Sequence, residues 1–379
     1  MTQPRLPPQF ASFALEEWQS RWENRVEFNL ADSGLKPLAP RELLSEDEWP
    51  AFLGLALHYP EVRGTRALRE RISALYPDAD ARHVLVTVGA AEANAIVSQT
   101  ILLPGDEVVV VEPNYQQVPG IAANLGAIVR RVPLRPDAGW QLDVEALVGA
   151  VGPRTRLVYL SNPNNPTGSA LGGENLDRVV EILRPFDAWL LADEVYRGSE
   201  GLTDEETPTF WGRLERVIAV GSMSKAYALS GLRIGWLLAP PDLLQDIWRR
   251  HEYATISAGA ADMHLATLAL SEPAHEQILR RNRQLVRRGW ECLTDWVARH
   301  RDLVSVVPTR ATGVAFVRYE LELGSVAVAD AIRREANVLV APGAYLGTER
   351  HLRINHARDP DTLPGALERI SDVLAGLRA

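Results

Sequence analysis

The sequence is poor in cysteine. Its 379 residues include one, Cys292, so no intrachain disulfide can form, which fits a reducing compartment. An excess of positive charge is also missing. Forty Lys and Arg stand against 49 Asp and Glu, a formal net charge of −9. Such an acidic chain is a poor general binder of nucleic acid or anionic membranes, although a local basic site stays open. No apolar run approaches the roughly 18 residues of a membrane-spanning helix. The longest candidates, Val108–Val111 and Trp236–Pro240, are strand-sized. The opening Met1–Phe10 segment has no long apolar stretch of the kind that marks a secretory signal. Repeats of about 20–50 residues and low-complexity tracts are absent. These absences predict a soluble cytoplasmic protein that acts on small molecules, with no nucleic-acid or membrane partner.

What is present is globular material. Hydrophobic residues make up 46%, which excludes a disordered chain and suffices for a large core. At roughly 150 residues per domain the length suggests two or three domains. A Trp-containing stretch, Leu15–Trp22, reads as an arm that packs on another domain or subunit. From residue 64 the pattern alternates. Gly64–Leu75 and Glu92–Leu102 read as helices, and Val84–Val88 and Glu107–Glu112 as strands, with a turn at Pro104–Asp106. The alternation continues through Val118–Leu125, Ile128–Val132, Val144–Val151, Leu157–Leu160, Leu176–Leu183, Trp189–Ala192, Val217–Val220 and Ile234–Leu238. Short continuous apolar runs between helices mark a parallel sheet covered on both faces. The expected fold class is therefore α/β. After residue 242 a long charged helical stretch runs from Leu243 towards Arg301. It contains Arg280-Arg281-Asn282-Arg283, read as a solvated helix face. Leu303–Ala379 reads as a smaller α/β unit.

The stretch richest in chemistry is Gly221-Ser222-Met223-Ser224-Lys225, followed by Gly231-Leu232-Arg233-Ile234-Gly235. A lysine just after a buried strand is placed for Schiff-base chemistry with an aldehyde. Two serine hydroxyls and the Arg233 fork can hold a phosphate dianion. Asn162–Gly168 follows one apolar run, and Asp193-Glu194-Val195-Tyr196 follows another. A carboxylate at the end of a strand lies where open α/β sheets bind ligands. Asp193 can pair with a protonated pyridine nitrogen, and Asn165 and Tyr196 can both donate to a ring phenolate. His251, His264 and His356 have no metal-ligand spacing and read as surface or packing residues. No metal site is expected.

These motifs, in this order, resemble the fold type I pyridoxal 5′-phosphate (PLP) enzymes of the class I/II aminotransferase family, from about Tyr59 to the C-terminus. The resemblance implies a large domain with a mainly parallel seven-stranded sheet between helices, plus a smaller α/β domain. It implies boundaries of 1–40 for the arm and part of the small domain. The large PLP-binding domain would span 41–245, and the interdomain helix with the small domain 246–379. It implies an enzyme acting on an α-amino acid through an external aldimine and a quinonoid. By this resemblance Lys225 carries the cofactor and moves the substrate α-proton. Asp193 pairs with the pyridinium, and Tyr196 and Asn165 bond the ring hydroxyl. Ser222, Ser224 and Arg233 bind the phosphate together with backbone N–H groups of Gly89, Ala90 and Ala91. Tyr115 stacks on the ring, and Tyr59 reaches the phosphate of the neighbouring subunit in a homodimer. Arg353 grips the substrate α-carboxylate.

The N-terminal stretch Asn29–Pro37, with Leu15-Glu16-Glu17-Trp18, is similar to capreomycidine synthases and PLP-dependent arginine oxidases. That similarity keeps open cyclisation, oxidation or γ-elimination and replacement (for example on S-adenosylmethionine) beside transamination. Candidate substrate-pocket residues are Ser33, Gly34, Lys36, His58, Glu61 and Tyr253–Ser257. Gly34, Lys36, Asn165 and Arg353 are expected to touch substrate, with Lys36 as an anchor for an acidic group or a second base.

Overall fold

A computed structural model describes residues 10–203, 205–308 and 311–378. Residues 1–9, most of the opening segment considered above, lie outside the described residues.

Among the described residues the larger sheet has eight strands: β1 (Val84–Val88), β2 (Glu107–Glu112), β3 (Ile128–Arg135), β4 (Gln141–Leu142), β5 (Thr155–Ser161), β6 (Trp189–Asp193), β7 (Val217–Ser222) and β8 (Ile234–Leu238). Their order is β1-β8-β7-β6-β5-β2-β3-β4. The central run from β7 to β3 is parallel. β8 is antiparallel to both its neighbours, and β4 is antiparallel to β3. The expected seven strands therefore gain an eighth. β4 is a two-residue edge strand, too short and too polar to show a periodic signal.

The valines of β2 show why the sheet sits between two layers. Successive side chains of a strand point to opposite faces. Val109 and Val111 join one buried cluster, and Val108 and Val110 another. In β7, Val217 and Ala219 face the first cluster, and Ile218 and Val220 the second. A continuous apolar run is what a strand with both faces covered requires.

A second, all-antiparallel sheet contains β9 (Val304–Val306), β10 (Val314–Tyr319), β11 (Ala341–Pro342) and β12 (His351–Asn355), in the order β9-β10-β12-β11. Five helices matter below: α1 (Ala14–Trp22), α2 (Gly89–Ile101), α3 (Pro241–Ala254), α4 (Ala274–Arg299) and α5 (Leu363–Arg378). Phe28–Asn29 pairs in parallel with Val338–Leu339, so the N-terminal stretch is bonded to a segment just before β11.

The single helical stretch expected from Leu243 to Arg301 is instead three helices. Breaks fall at Thr255–Gly259, where Ile256 takes a left-handed φ of 68°, and at Ser271–Pro273. The arginine run on α4 is not a solvated face. Arg280 pairs with Glu276 in solvent, but Arg281 donates to the Lys36 carbonyl at 3.0 Å. Asn282 is fully buried and donates to the Ala226 carbonyl at 2.8 Å. Arg283 donates to the Gly198 carbonyl at 3.1 Å. This face of α4 therefore clamps the loop that carries Lys225.

Among the described residues no helix is long and apolar enough to cross a membrane.

Candidate active site

Strands β5, β6 and β7 end on Ser161, Asp193 and Ser222. All three border a cavity of about 250 Å³, shared with Lys225, the first turns of α2 and one side of α1.

Asp193 lies at its floor. One carboxylate oxygen accepts from Asn94 Nδ2 at 3.2 Å and the Tyr159 hydroxyl at 3.5 Å, and the other from the Val195 N–H at 3.3 Å. These partners are neutral. Burial pushes the Asp193 carboxyl above its usual range, against the pull of its hydrogen bonds and of Lys225. A buried carboxylate with neutral partners is a seat for a cation.

Lys225 is half-buried and donates from Nζ to Ser33 Oγ at 2.7 Å. The Tyr196 hydroxyl donates to the Ser33 carbonyl at 3.3 Å. Asp32, beside Ser33, pairs with Arg358. Burial raises its carboxyl pKa, but Lys225, Arg358 and the Gly34 N–H together outweigh this and hold it below the usual range.

The first turn of α2 faces Arg233. Gly89 has φ +75°, and a Cβ there would lie 2.4 Å from Arg233 Nη2. A Cβ on Gly235 would lie 2.4 Å from the Ala90 nitrogen. Both glycines are needed for the helix start, the guanidinium and β8 to come this close. Ser224 Oγ lies 3.5 Å from Arg233 Nη1, and Ser222 Oγ accepts from the Ser224 N–H at 2.9 Å. Backbone N–H groups at a helix start, two hydroxyls and a guanidinium together form an anion cradle.

Over the cavity stands Tyr115, whose hydroxyl donates to Glu16 at 2.7 Å. Burial, with help from Glu16, pushes that hydroxyl's pKa far up. Phe13 packs against the Tyr115 ring at 4.9 Å. Glu16, Gln19 and Glu23 of α1 and its C-terminal edge line the same space. Their spacing of three and four residues puts them on one helix face.

Arg353, on β12, is 1% exposed. Its guanidinium donates to Asn165 Oδ1 at 3.1 Å, the Ala31 carbonyl at 2.6 Å and Gln19 Oε1 at 3.5 Å, while its Nε has no partner among the described residues. Burial lowers its pKa. Among the described residues no carboxylate contacts this cation.

Five expected site residues are not among those that line the cavity: Gly89, Arg353, which is enclosed by the partners just named, Gly34, Lys36 and Tyr59. Gly34 is buried and tied down: its N–H donates to Asp32, and its carbonyl accepts from Asn355 Nδ2 at 2.7 Å. That tie turns the chain outward, so the Lys36 side chain is exposed, and Asp32 and Ser33 face the cavity instead. Tyr59 is 82% exposed. Of the other pocket candidates, His58 and Tyr253 are exposed, and Glu61 pairs with Arg69 at 3.1 Å. Asn94, Tyr159, Gln19 and Glu23 were not anticipated. A readable signal existed for Asn94, a polar residue among the buried Ala93, Ile96 and Val97 of α2.

With this geometry in view, comparison with known proteins identifies the class. Residues 54–370 match the family described as aminotransferase class I and II, and the chain belongs to it. The arginine–pyruvate transaminase of Pseudomonas aeruginosa is 32% identical over 332 residues, covering 83% of this chain and 81% of that one. The capreomycidine synthase of Streptomyces vinaceus is 28% identical over 376 residues, covering 97% and 95%. A PLP-dependent aminotransferase structure from Streptococcus suis superposes with a TM-score of 0.91 at 30% identity, covering 97% and 99%.

The protein is thus a PLP-dependent enzyme of the aminotransferase class, with a fold type I architecture. Its own residues fit that cofactor: a buried carboxylate that no cation contacts among the described residues, an anion cradle closed by two glycines, and an amine at the same cavity. When bound, PLP supplies an aldehyde for amines and an electron sink that stabilises negative charge at a substrate α-carbon. Among the described residues no group of three or more His, Cys, Asp or Glu is placed to hold a metal ion.

Proposed function

We propose that the enzyme transfers the amino group of an α-amino acid with a cationic side chain to a keto acid. The observation that carries the substrate class is the acidic face of α1, where Glu16 and Glu23 line the same cavity as Lys225. The similarity to an arginine–pyruvate transaminase supports the same reading.

In this reading Asp193 holds a proton on the cofactor ring nitrogen, and Tyr196 and Asn165 bond the ring oxygen. Gly89, Ala90, Ala91, Ser222, Ser224 and Arg233 hold the phosphate, and Tyr115 covers the ring. Lys225 Nζ would take the proton from the substrate α-carbon and deliver it on the cofactor side, to the carbon of the former aldehyde, with Ser33 Oγ orienting the amine. Arg353 receives the α-carboxylate, whose two oxygens match the guanidinium fork. The exposed Tyr59, with the exposed Leu53 and Leu57 near it, suits a homodimer in which Tyr59 reaches the partner's phosphate. A single cysteine and an acidic charge suit a cytoplasmic enzyme.

The test is a panel of amino donors, each first given without a keto acid and then with pyruvate. Stoichiometric conversion of PLP to pyridoxamine phosphate by arginine or lysine, then alanine formation, is the expected result. Loss of a side-chain group, ring closure or oxygen consumption with the cofactor left as PLP would replace transamination. Preference for acidic or apolar donors would overturn the substrate class.

Two substitutions separate the contacts. Glu16→Gln with Glu23→Gln should raise KM for a cationic donor by about tenfold or more, as expected for lost charge-assisted bonds, and leave KM for alanine within a few-fold. Equal changes for both donors would remove the acidic face from recognition. Arg353→Ala should raise KM for every α-amino acid by about a hundredfold, the cost of losing a bidentate pair, with a smaller change in kcat. An unchanged KM would mean that another group holds the carboxylate.

A further inference from the structure

His251 lies in the last turn of α3 and is fully buried, which is unusual for a histidine unless its nitrogens are used. Both are. Nε2 lies 3.1 Å from the Val62 carbonyl, and Nδ1 lies 2.9 Å from Glu92 Oε1. A carbonyl only accepts, so Nε2 carries a proton. The Nδ1 side then needs a proton between the ring and the carboxylate, because two lone pairs would otherwise face each other. Glu92 also accepts from Thr255 Oγ1 at 2.6 Å and the Val88 N–H at 2.6 Å. Burial raises the pKa of its carboxyl, but His251, Thr255 and Val88 together keep it below the usual range. One proton therefore lies between the ring and the carboxylate, and the pair as a whole is neutral.

Glu92 lies in the first turn of α2, directly after Gly89-Ala90-Ala91. Unneutralised, a buried carboxylate there would oppose an anion at the same helix start. Val62, at the other nitrogen, lies between Tyr59 and the first residue of the Thr65-capped helix Arg66–Ser73.

We infer that His251 is a positioning residue for the cofactor phosphate: it neutralises Glu92 at the start of α2 and ties that turn to the segment bearing Tyr59. This rests on the reading of the α2 N-terminus as the phosphate site. That reading is tested separately, by whether the wild-type protein binds PLP far more tightly than pyridoxal, which lacks the phosphate.

The experiment measures dissociation constants for PLP and for pyridoxal, together with the unfolding temperature of the cofactor-free protein. The variants are His251→Leu, Glu92→Gln and the double variant. His251→Leu should reduce the preference for PLP over pyridoxal by about tenfold or more, because only the phosphate feels the bared carboxylate. Adding Glu92→Gln should recover most of that preference. Glu92→Gln alone, whose amide can donate to Nδ1 of a neutral ring and so keeps the site neutral, should leave it within about threefold. Equal weakening of both ligands in His251→Leu would mean a merely structural role and overturn the inference. So would a double variant no better than the single one. If His251→Leu does not fold, Glu92→Gln alone decides: a retained preference supports charge balance, and a tenfold loss refutes it.

Discussion

Replacing Lys225 by Ala is expected to lower turnover by about ten-thousandfold or more and to abolish the visible absorbance of lysine-bound cofactor. Positioned acid–base transfer contributes roughly 10²–10⁴-fold, and losing the covalent attachment that holds the cofactor in register adds to this. The geometry argues for Lys225 over any other amine. It is half-buried at the cavity, it follows β7 by three residues, and its loop is held by Asn282 from α4. The composition makes the test unambiguous, because the chain contains two lysines, Lys36 and Lys225. Borohydride reduction of the holoenzyme should therefore yield one modified lysine-bearing peptide, that of Lys225. Lys36 is exposed and its side chain lies outside the cavity, so label on Lys36, or normal turnover in the variant, would break the assignment.

The residues legible in the sequence share a property: local chain geometry places them. Asp193 and Ser222 end buried apolar runs, and Lys225 follows one, so strand direction alone delivers them to one edge of a parallel sheet. The valines of β2 announce two covered faces by being continuous. What was not legible depends on contacts between distant segments. Asn94 meets Asp193 across 99 positions, Tyr115 meets Glu16 across 99, and His251 meets Glu92 across 159. No local period encodes such pairings, so His251 on α3, hydrogen-bonded to Glu92 on α2, reads as a packing histidine. Lys36 failed for the opposite reason. It is near the site in sequence, but Asn355 grips the carbonyls of Asp32 and Gly34 and turns the next residues outward. The segmentation of the helical stretch after Leu243 depends on Gly259 and Pro273, which are breakers visible in sequence that the charge pattern overrode.

The second large effect falls on Asp193, and here function and stability should move in opposite directions. Asp193→Ala is expected to cost about a thousandfold in kcat, or about 4 kcal/mol of barrier. A charge that keeps a proton on the cofactor ring nitrogen acts in a dry site, where the interaction is several-fold stronger than in water. Neither Asn94 nor Tyr159, its neutral partners, can supply that charge. A cofactor methylated at the ring nitrogen is cationic without help, so it should restore about tenfold or more of the lost rate in Asp193→Ala. Activity within tenfold of wild type, or no recovery with the methylated cofactor, would remove Asp193 from this role. The cofactor-free protein should tell the converse story. Burial raises the Asp193 pKa, so the folded state retains a proton that the unfolded chain gives up near pH 4. Between those two pKa values the native state binds more protons, and wild-type stability falls as pH rises. Asp193→Asn removes this term. Its cofactor-free unfolding temperature should match or exceed wild type at neutral pH, and the difference should shrink towards pH 4. A carboxylate that weakens the empty fold while serving catalysis is poised for a cation, whereas a purely structural aspartate would make the Asn variant less stable at every pH.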